Sequence, residues 1–337
     1  RLYTVEATGI SIDGVPEANA EPNSYVVALS AEDGSELWRR RLDGAFADQR
    51  GSGPRSTPTV AGGRLYVVSA HGAIVCLDLA GREIWRRHLV EDFGGTVPLW
   101  GYSSSVLIEG EHAIVAGGGD GHAVVALTAE TGEVAWHAGT APPGYASPIV
   151  TELAGTRQIV QLAGDRILAL STDGRELWAH PWPVINNINV ATPLILPDNR
   201  LLIATSYDVG STVLEIQHTS EGFQTKEVWR ARSLKNHFHM SVYRNGFLYG
   251  FDNAFLECVD AATGEIRWRT RGLGKGSLLL LEPPGEEAVL VVLSERGELS
   301  LVAATPAVYR ALAVSPILEG RRAWTAPSLA AGHLYLR

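Results

Sequence analysis

Short runs of apolar residues, separated by turns that contain glycine, cover most of the 337-residue chain. In the stretch before Trp85 four such runs follow one another, at Thr57 to Val60, Arg64 to Ser69, Ala73 to Leu77 and Glu83 to Arg87. Runs of four to seven residues bounded by such turns are typical of β-strands joined by tight hairpins. This stretch therefore predicts four antiparallel strands.

The same unit recurs along the chain, as an aliphatic run, then a glycine, then a tryptophan four residues later. The five clear copies are Gly34/Trp38, Gly81/Trp85, Gly132/Trp136, Gly174/Trp178 and Gly264/Trp268. Two copies are degenerate: one has a longer hairpin before Trp229, and in the other Tyr309 replaces the tryptophan. The 271 residues from Trp38 to Tyr309 make six steps of about 45 residues, which is the period of a four-stranded propeller blade.

This glycine–tryptophan signature resembles the pyrroloquinoline-quinone (PQQ) repeat of quinoprotein dehydrogenases and of BamB-type barrel-assembly lipoproteins. The resemblance covers nearly the whole chain and implies an all-β, eight-bladed β-propeller with four antiparallel strands per blade, in a single domain over residues 1–337. Residues 326–337 resemble Ser56 to Val67 and predict the first two strands of another blade, while the first run of the chain corresponds to a second strand. The terminal blades are therefore expected to be incomplete in a trimmed chain.

The repeat tryptophans are expected to be packing residues rather than ligand platforms. A tryptophan on the outermost strand can cover the edge of its own blade and dock on the neighbouring blade, and sheet edges must be covered in some way. The glycine before each tryptophan supplies the positive φ of a tight hairpin.

Candidate binding residues lie where the repeat is interrupted, in the polar segments just before each predicted first strand. In a four-stranded antiparallel blade these segments and the loops between second and third strands open on one face, so we expect them to converge on the mouth of a central channel. Their cations, aromatic rings, hydroxyls, amides and imidazoles suit a polar organic ligand. The alternative is that they cap strand ends and bind channel water. The candidates are Arg55, Ser56, Trp100, Tyr102, Tyr145, Asn187, Asn189, His237, His239, Lys275 and Trp324.

Catalytic and metal sites receive little support from the sequence. His237 and His239 point the same way if they lie on a strand, and could share a metal with His71 or Asp252, but no second histidine pair supports this and we predict no metal. No nucleophile elbow or phosphate loop occurs, and the glycine run 117–121 predicts a hairpin turn.

The quinoprotein resemblance implies a cofactor clamped between two adjacent cysteines and a tryptophan, with calcium held by acidic and amide side chains. The two cysteines here, Cys76 and Cys258, are not adjacent and lie in apolar runs that predict burial. The candidate segments also contain almost no carboxylates, which a calcium ion needs. We therefore predict neither PQQ nor calcium, and expect the protein not to be an enzyme.

The amino-acid composition limits the classes of partner that the protein can bind. The formal charge of −9 argues against general nucleic-acid binding, and no apolar run approaches the length of a membrane span. The first residues show no signal peptide, yet the scarcity of thiols is typical of extracytoplasmic proteins. A periplasmic or otherwise extracytoplasmic location is therefore expected for a mature chain.

Together these features favour a monomeric binding or scaffold propeller, with a small polar ligand or a protein partner at the channel mouth. The alternatives are a PQQ-dependent dehydrogenase and a propeller that binds or processes saccharides.

Overall fold

A computed structural model describes residues 1–11, 14–18, 20–49, 51–319 and 322–336. These residues form antiparallel sheets with one short 3-10 helix, in two compact units, Arg1–Asn189 (unit 1) and Val190–Arg337 (unit 2). Arg337, the last residue of the predicted terminal strand pair, lies outside the described residues. We number the sheets I to VIII in chain order.

Unit 1 contains sheets I to IV, in which consecutive strands pair with each other. Sheet I has three strands and the others four. The strands are Leu2–Thr8 (β1), Asn23–Leu29 (β2) and Glu36–Gly44 (β3); Thr59–Ala61 (β4), Arg64–Val68 (β5), Ala73–Asp78 (β6) and Glu83–His88 (β7); Leu107–Glu109 (β8), His112–Ala116 (β9), Val124–Thr128 (β10) and Val134–Ala138 (β11); and Ile149–Leu153 (β12), Thr156–Leu162 (β13), Arg166–Ser171 (β14) and Glu176–Pro181 (β15). The 3-10 helix is Ile185–Asn187.

Unit 2 contains sheets V to VIII, with the same order of pairing. Sheets V to VII have four strands and sheet VIII has two. The strands are Leu194–Leu196 (β16), Arg200–Thr205 (β17), Gly210–Thr219 (β18) and Gly222–Ala231 (β19); Val242–Arg244 (β20), Phe247–Asp252 (β21), Phe255–Asp260 (β22) and Ile266–Arg271 (β23); Ser277–Leu281 (β24), Val289–Leu293 (β25), Glu298–Ala303 (β26) and Ala311–Pro316 (β27); and Ser328–Ala330 (β28) and His333–Tyr335 (β29).

The predicted strands of the second repeat are confirmed, with small shifts at their ends. The first of them starts at Thr59 rather than Thr57, because the two residues before it belong to the preceding polar loop. The longer hairpin before Trp229 is also confirmed, since β18 and β19 are each ten residues long. The three strands of sheet I and the two of sheet VIII agree with the predicted partial repeats at the ends of the chain.

Every outer strand has a β-bulge at the same place in the repeat, and in sheets I to VI the repeat tryptophan lies beside this bulge. In sheet II, Trp85 pairs with Cys76, and the register shifts between Cys76 and Leu77. The other tryptophans have the same register against Ala28, Ala126, Ala169, Val213 and Cys258. A bulge twists the strand locally and re-aims the side chain next to it. The tryptophan position is therefore defined by pairing register as well as by sequence spacing.

The prediction that Tyr309 takes the place of the tryptophan in sheet VII is wrong. In sheet VII the residue opposite Leu301, just before the register shift, is Ala313. Tyr309 precedes β27 and packs edge-on against Trp268 of the preceding sheet, with ring centroids 5.7 Å apart. The spacing of residues along the sequence could not show that Ala313 occupies the tryptophan position, because the turn before β27 is longer than in the other repeats.

The glycine and tryptophan of the motif meet between neighbouring sheets rather than within one repeat. A Cβ added to Gly132 would lie 2.7 Å from the ring of Trp85, and one added to Gly174 would lie equally close to Trp136. The Trp85 indole Nε1 also donates to the carbonyl of Ala129, 3.0 Å away in the same turn of sheet III. Indole N–H groups of Trp38, Trp136, Trp229 and Trp268 likewise donate to carbonyls of the next sheet, which confirms the predicted docking for these tryptophans. The Trp178 indole instead donates to Gln158 of its own sheet.

Aliphatic side chains fill the space between neighbouring sheets. Between sheets I and II the core contains Val26, Leu42, Leu65 and Val75, all nearly inaccessible to solvent. A comparable cluster between sheets VI and VII is built around Leu256, Leu290 and Val302. The core therefore lies between successive sheets, as alternation of inward-facing residues from stacked sheets requires.

Candidate binding face

The predicted binding residues of unit 1 lie in three loops that are hydrogen-bonded to one another. The backbone N–H of Trp100 donates to the Tyr145 hydroxyl at 3.2 Å, and the two rings are 5.8 Å apart. The backbone N–H of Tyr145 donates to the carbonyl of Asn189 at 2.8 Å. We call residues 98–105, 142–147 and 184–189 the unit 1 loop cluster. The structure thus brings Trp100, Tyr145 and Asn189 together.

Arg55 reaches the same cluster from the loop before β4. Its Nε donates to the carbonyl of Trp100 at 3.0 Å, and its guanidinium lies 5.6 Å from the centroid of the Phe46 ring and 3.9 Å from the carboxylate of Asp48. Burial lowers the pKa of Arg55 from its ordinary value, although an arginine stays charged at any physiological pH. A cation held this way fixes the position of the Trp100 loop.

Three other predicted residues of unit 1 are buried and bonded to backbone. The Ser56 hydroxyl donates to the carbonyl of Val68. Tyr102 is only 1% exposed, and its hydroxyl lies 3.0 Å from the carbonyls of both Thr96 and Gly117. Asn189 donates to three carbonyls, including that of Trp182. These side chains satisfy backbone groups that would otherwise be unpaired inside the protein, which is the capping role weighed against ligand binding.

Hydroxyl groups connect the starts of successive sheets. The N–H of Thr57 donates to Ser105 Oγ at 2.9 Å, and the N–H of Ser105 donates to Ser147 Oγ at the same distance. Each of these residues lies two positions before the first strand of its sheet. The polar segments before the first strands of sheets II to IV therefore join neighbouring sheets.

Asn187 occupies the edge of the unit 1 loop cluster. It adopts a positive φ of 59° in the short 3-10 helix, and its side chain lies against Gly164, where a Cβ would approach within 2.5 Å. Asparagine tolerates this left-handed conformation better than most residues. The amide is partly exposed next to Ile185, which is one of the most exposed large apolar residues of the chain.

Three predicted residues of unit 2, His237, Lys275 and Trp324, lie together with Tyr207 and Phe238. We call these five residues the unit 2 aromatic cluster. The rings of His237 and Phe238 are 4.1 Å apart, those of Phe238 and Trp324 are 4.6 Å apart, and the Lys275 ammonium lies 5.6 Å from the Phe238 ring. The Tyr207 hydroxyl and His237 Nε2 share a hydrogen bond of 2.9 Å. Phe238 and Tyr207 were not among the predicted site residues.

His239 lies beside this cluster with its imidazole buried. Its Nε2 donates to the carbonyl of Trp324 at 2.5 Å. Burial lowers the pKa of His239, while the carbonyl contact opposes that shift. The neutral imidazole with a protonated Nε2 therefore holds the Trp324 segment, and this nitrogen has no lone pair for a metal. Among the described residues no group of three or more histidine, cysteine, aspartate or glutamate side chains could hold a metal ion.

A buried charged cluster in sheet VI was missed by the sequence analysis, which considered Asp252 only as a metal ligand. Glu257 is completely buried, and Arg269 Nη2 lies 2.9 Å from its Oε1 and 3.1 Å from Asp252 Oδ2. The Lys235 ammonium lies 3.4 Å from Asp252 Oδ1, and the Arg269 guanidinium stacks 4.1 Å from the Phe255 ring. The backbone N–H of Leu234 donates to Glu257 Oε2 at 3.0 Å.

Burial raises the pKa of Glu257, with the nearby Asp252 carboxylate acting in the same direction. Asp252 and Arg269 also line an open groove of about 590 Å³ beside residues 231–233 and 264–266. The sequence does contain a signal for this cluster. The register places Glu257 at the position that Val75 and Leu168 occupy in sheets II and IV, next to the residue opposite the tryptophan. A carboxylate in an aliphatic position of a repeat indicates a polar site between sheets.

Comparison with known proteins identifies the repeat. A family model described as "Outer membrane protein assembly factor BamB" matches residues 22–270. The chain belongs to this family. No curated protein matches the sequence.

Three solved structures share the fold of this chain. BamB from Moraxella catarrhalis superposes with a TM-score of 0.60 at 15% identity, covering 100% of this chain and 95% of that one. Quinohemoprotein alcohol dehydrogenase from Comamonas testosteroni gives 0.59 at 13% identity, covering 98% and 70%. The computationally designed Ika8 protein gives 0.57 at 10% identity, covering 98% and 93%. At these identities the likeness shows the fold, a PQQ-like β-propeller.

The residues present do not fit the quinone site that the dehydrogenase resemblance implies. Cys76 and Cys258 are both completely buried, each opposite a repeat tryptophan in the middle of a strand. Burial raises the pKa of Cys76 to about 11 and that of Cys258 to about 12, so both remain thiols. They are separate core residues and cannot form the adjacent pair that clamps the cofactor. No helix among the described residues is long and apolar enough to cross a membrane.

Proposed function

We propose that the protein is an extracytoplasmic, eight-bladed scaffold propeller that binds a protein partner of envelope assembly through the unit 1 loop cluster. Membership of the BamB family supports the type of partner. The observation that carries the binding face is a pair of exposed apolar side chains, Leu99 at 62% and Ile185 at 63% exposure. Both lie in loops that join an outer strand to the first strand of the next sheet.

These two side chains are presented on a rigid base. Leu99 precedes Trp100, whose backbone bonds to Tyr145 and Arg55, and Ile185 begins the helix that leads to Asn189, whose carbonyl accepts from Tyr145. Ordering loops before binding lowers the entropy cost of association. Exposed apolar and aromatic side chains on such a base are typical anchors of protein interfaces.

The test is site-specific photo-crosslinking in cells, with the crosslinker at Leu99 or Ile185. Ile84 is a matched control, because it is an apolar side chain with 44% exposure on the outer strand β7 of the same unit. We expect one outer-membrane assembly protein to crosslink at Leu99 and Ile185 but not at Ile84. Equal crosslinking at all three positions, or none to an assembly protein, would contradict the proposal.

A small polar ligand at the unit 2 aromatic cluster stays a second proposal. The partly exposed Lys275 and Trp324 support it, because a cation next to aromatic rings suits an anionic or hydroxylated ligand. Titration with a glycan panel, using wild type and Trp324→Ala, would test it. Binding that is unchanged in Trp324→Ala would place the ligand elsewhere.

A further inference from the structure

We infer that the groove beside Arg232 and Arg269 in unit 2 binds an acidic, extended segment of a partner protein. The groove has a volume of about 590 Å³ and lies between the outer strands β19 of sheet V and β23 of sheet VI. Its lining includes both arginines, Ser233 and the exposed apolar side chain of Ile266. The groove contains no residue of the unit 1 loop cluster, so the inference does not depend on the proposed function.

The groove is long and open, which suits an extended chain. Along β23 its lining runs from Ile266 to Arg269, and at the far end it includes Asp252. Asp252 pairs with Phe255, which in turn pairs with Arg271 at the end of β23. The five residue steps from Ile266 to Arg271 cover about 16 Å at the ordinary rise of a β-strand. An extended segment of about five residues therefore matches the groove, whereas small ligands prefer pockets that bury most of their surface.

Arg269 is a fixed cation in the wall of this groove. Its Nη2 lies between the buried carboxylates of Asp252 and Glu257, and its guanidinium stacks on the Phe255 ring. Nevertheless 44% of the side chain is exposed, and its Nε and Nη1 make no hydrogen bond to the residues that the structure describes. An arginine presents five N–H donors in one planar fork, so donors in a fixed orientation remain for a ligand.

Two further arginines have no acidic partner in the described part of the chain. Arg232 is exposed and takes part in no hydrogen bond or ion pair there. Arg271 is also exposed, and its guanidinium lies 4.8 Å from the same Phe255 ring that Arg269 contacts. Both can bind a carboxylate through two parallel N–H···O bonds, which are among the stronger hydrogen bonds in proteins.

The groove has an excess of positive charge although the whole chain has a net charge of −9. In the buried charged cluster of sheet VI, one lysine and one arginine offset the two carboxylates. Outside this cluster Arg232 is a positive and Glu265 a negative residue of the lining, and Arg271 adds a second positive charge on β23. Complementary charge favours an acidic partner, and Glu265 opposes acidic residues at the hairpin end of the groove.

Ser233 supplies an unused hydrogen-bond donor. The residue is only 6% exposed, and its hydroxyl has no hydrogen-bond partner among the described residues although it belongs to the lining of the groove. A buried hydroxyl without a partner is unfavourable. A carboxylate or backbone carbonyl of a bound segment would accept this hydrogen bond.

The experiment measures the fluorescence anisotropy of a labelled synthetic peptide during titration with the full chain. The probe has six residues of alternating threonine and glutamate, and the control peptide has glutamine in place of each glutamate. We expect the glutamate peptide to bind at least about tenfold more tightly, with an affinity that falls as salt is added.

Arg232→Ala is the main variant, because Arg232 pairs with no described residue and its removal leaves the buried carboxylates paired. We expect it to weaken binding of the glutamate peptide about fivefold or more. Arg230→Ala is the matched control, since Arg230 lies on the same strand but pairs with Glu227 outside the groove, and it should bind as the wild type does. Glu265→Gln should strengthen binding about twofold, because it removes the opposing charge.

Three outcomes overturn the inference. The first is equal binding of the glutamate and glutamine peptides, which would remove the role of charge. The second is unchanged binding in Arg232→Ala, which would place the peptide elsewhere. The third is binding of inorganic phosphate or of anionic phospholipid vesicles that depends on Arg232, without binding of the glutamate peptide, because the partner would then not be an acidic protein segment.

Discussion

At the scale of single residues, the most informative positions are those where one side chain departs from its counterparts in the repeat. Glu257 replaces an aliphatic residue and Ala313 replaces a tryptophan, and both were recognised through strand register. A buried carboxylate is costly unless it is paired and hydrogen-bonded. Glu257 has both an arginine and a backbone N–H within reach, which is how the fold tolerates it.

The raised pKa of Glu257 makes a prediction about the pH dependence of stability. Because its pKa is higher in the folded state, the folded protein binds a proton more readily than the unfolded chain, and stability falls as pH rises through the folded-state pKa. Glu257→Gln removes this titration. We therefore expect the unfolding free energy of Glu257→Gln, relative to wild type, to increase with pH between about pH 4 and pH 8.

Urea unfolding of both proteins across this range measures the effect. Glu227→Gln is the control, since Glu227 is paired with Arg230 on the surface of β19. A difference between Glu257→Gln and wild type that does not change with pH would show that the carboxyl titrates as it does in the unfolded chain.

At the scale of elements, the hairpin turn of one sheet and the outer strand of the previous sheet form a single packing unit. The tryptophan ring covers the glycine and its N–H donates to a turn carbonyl. After Trp38 and Trp85, an arginine two residues later also donates to the carbonyl of the glycine itself. Arg87 Nε contacts the Gly132 carbonyl in this way at 2.7 Å, and Arg40 Nε contacts that of Gly81 at 2.8 Å. The repeat motif is thus an interface between neighbours.

Gly132→Ala tests this unit against a matched control. Gly132 and Gly155 have the same φ of 73°, but only Gly132 has a neighbour where a Cβ would lie. Both substitutions carry the cost of a left-handed alanine, about 1 kcal/mol. Gly132→Ala should cost a further 1 to 3 kcal/mol, roughly, from crowding against Trp85. Equal losses of unfolding free energy in the two variants would contradict the packing role.

At the scale of the whole molecule, one repeat serves proteins with different activities. BamB and the quinohemoprotein dehydrogenase superpose on this chain almost equally well, so the fold does not distinguish them. What separates a quinone-binding propeller from a scaffold propeller is the position of the cysteine thiols and the structure of the loops. Here the two thiols are buried core groups and the loops are bonded to one another through backbone.

We expect PQQ with calcium to leave the melting temperature of the protein unchanged and the protein uncoloured. The physical reason is that neither buried thiol can clamp a quinone. Thermal unfolding with and without the cofactor, beside a quinoprotein dehydrogenase freed of its cofactor as positive control, measures this. A higher melting temperature together with a coloured protein would favour the dehydrogenase alternative.

The sequence alone determined the all-β class, the repeat period and the packing role of the tryptophans, because glycine spacing and apolar alternation are local properties. It also identified the loops around Trp100 and Trp324, where the repeat is interrupted. Only the tertiary structure decided which polar residues are exposed. Ser56, Tyr102 and Asn189 bond to carbonyls of other segments, and the Glu257–Arg269 pair joins residues from neighbouring strands. Contacts between distant segments depend on strand register and bulges, which one repeat pattern cannot specify.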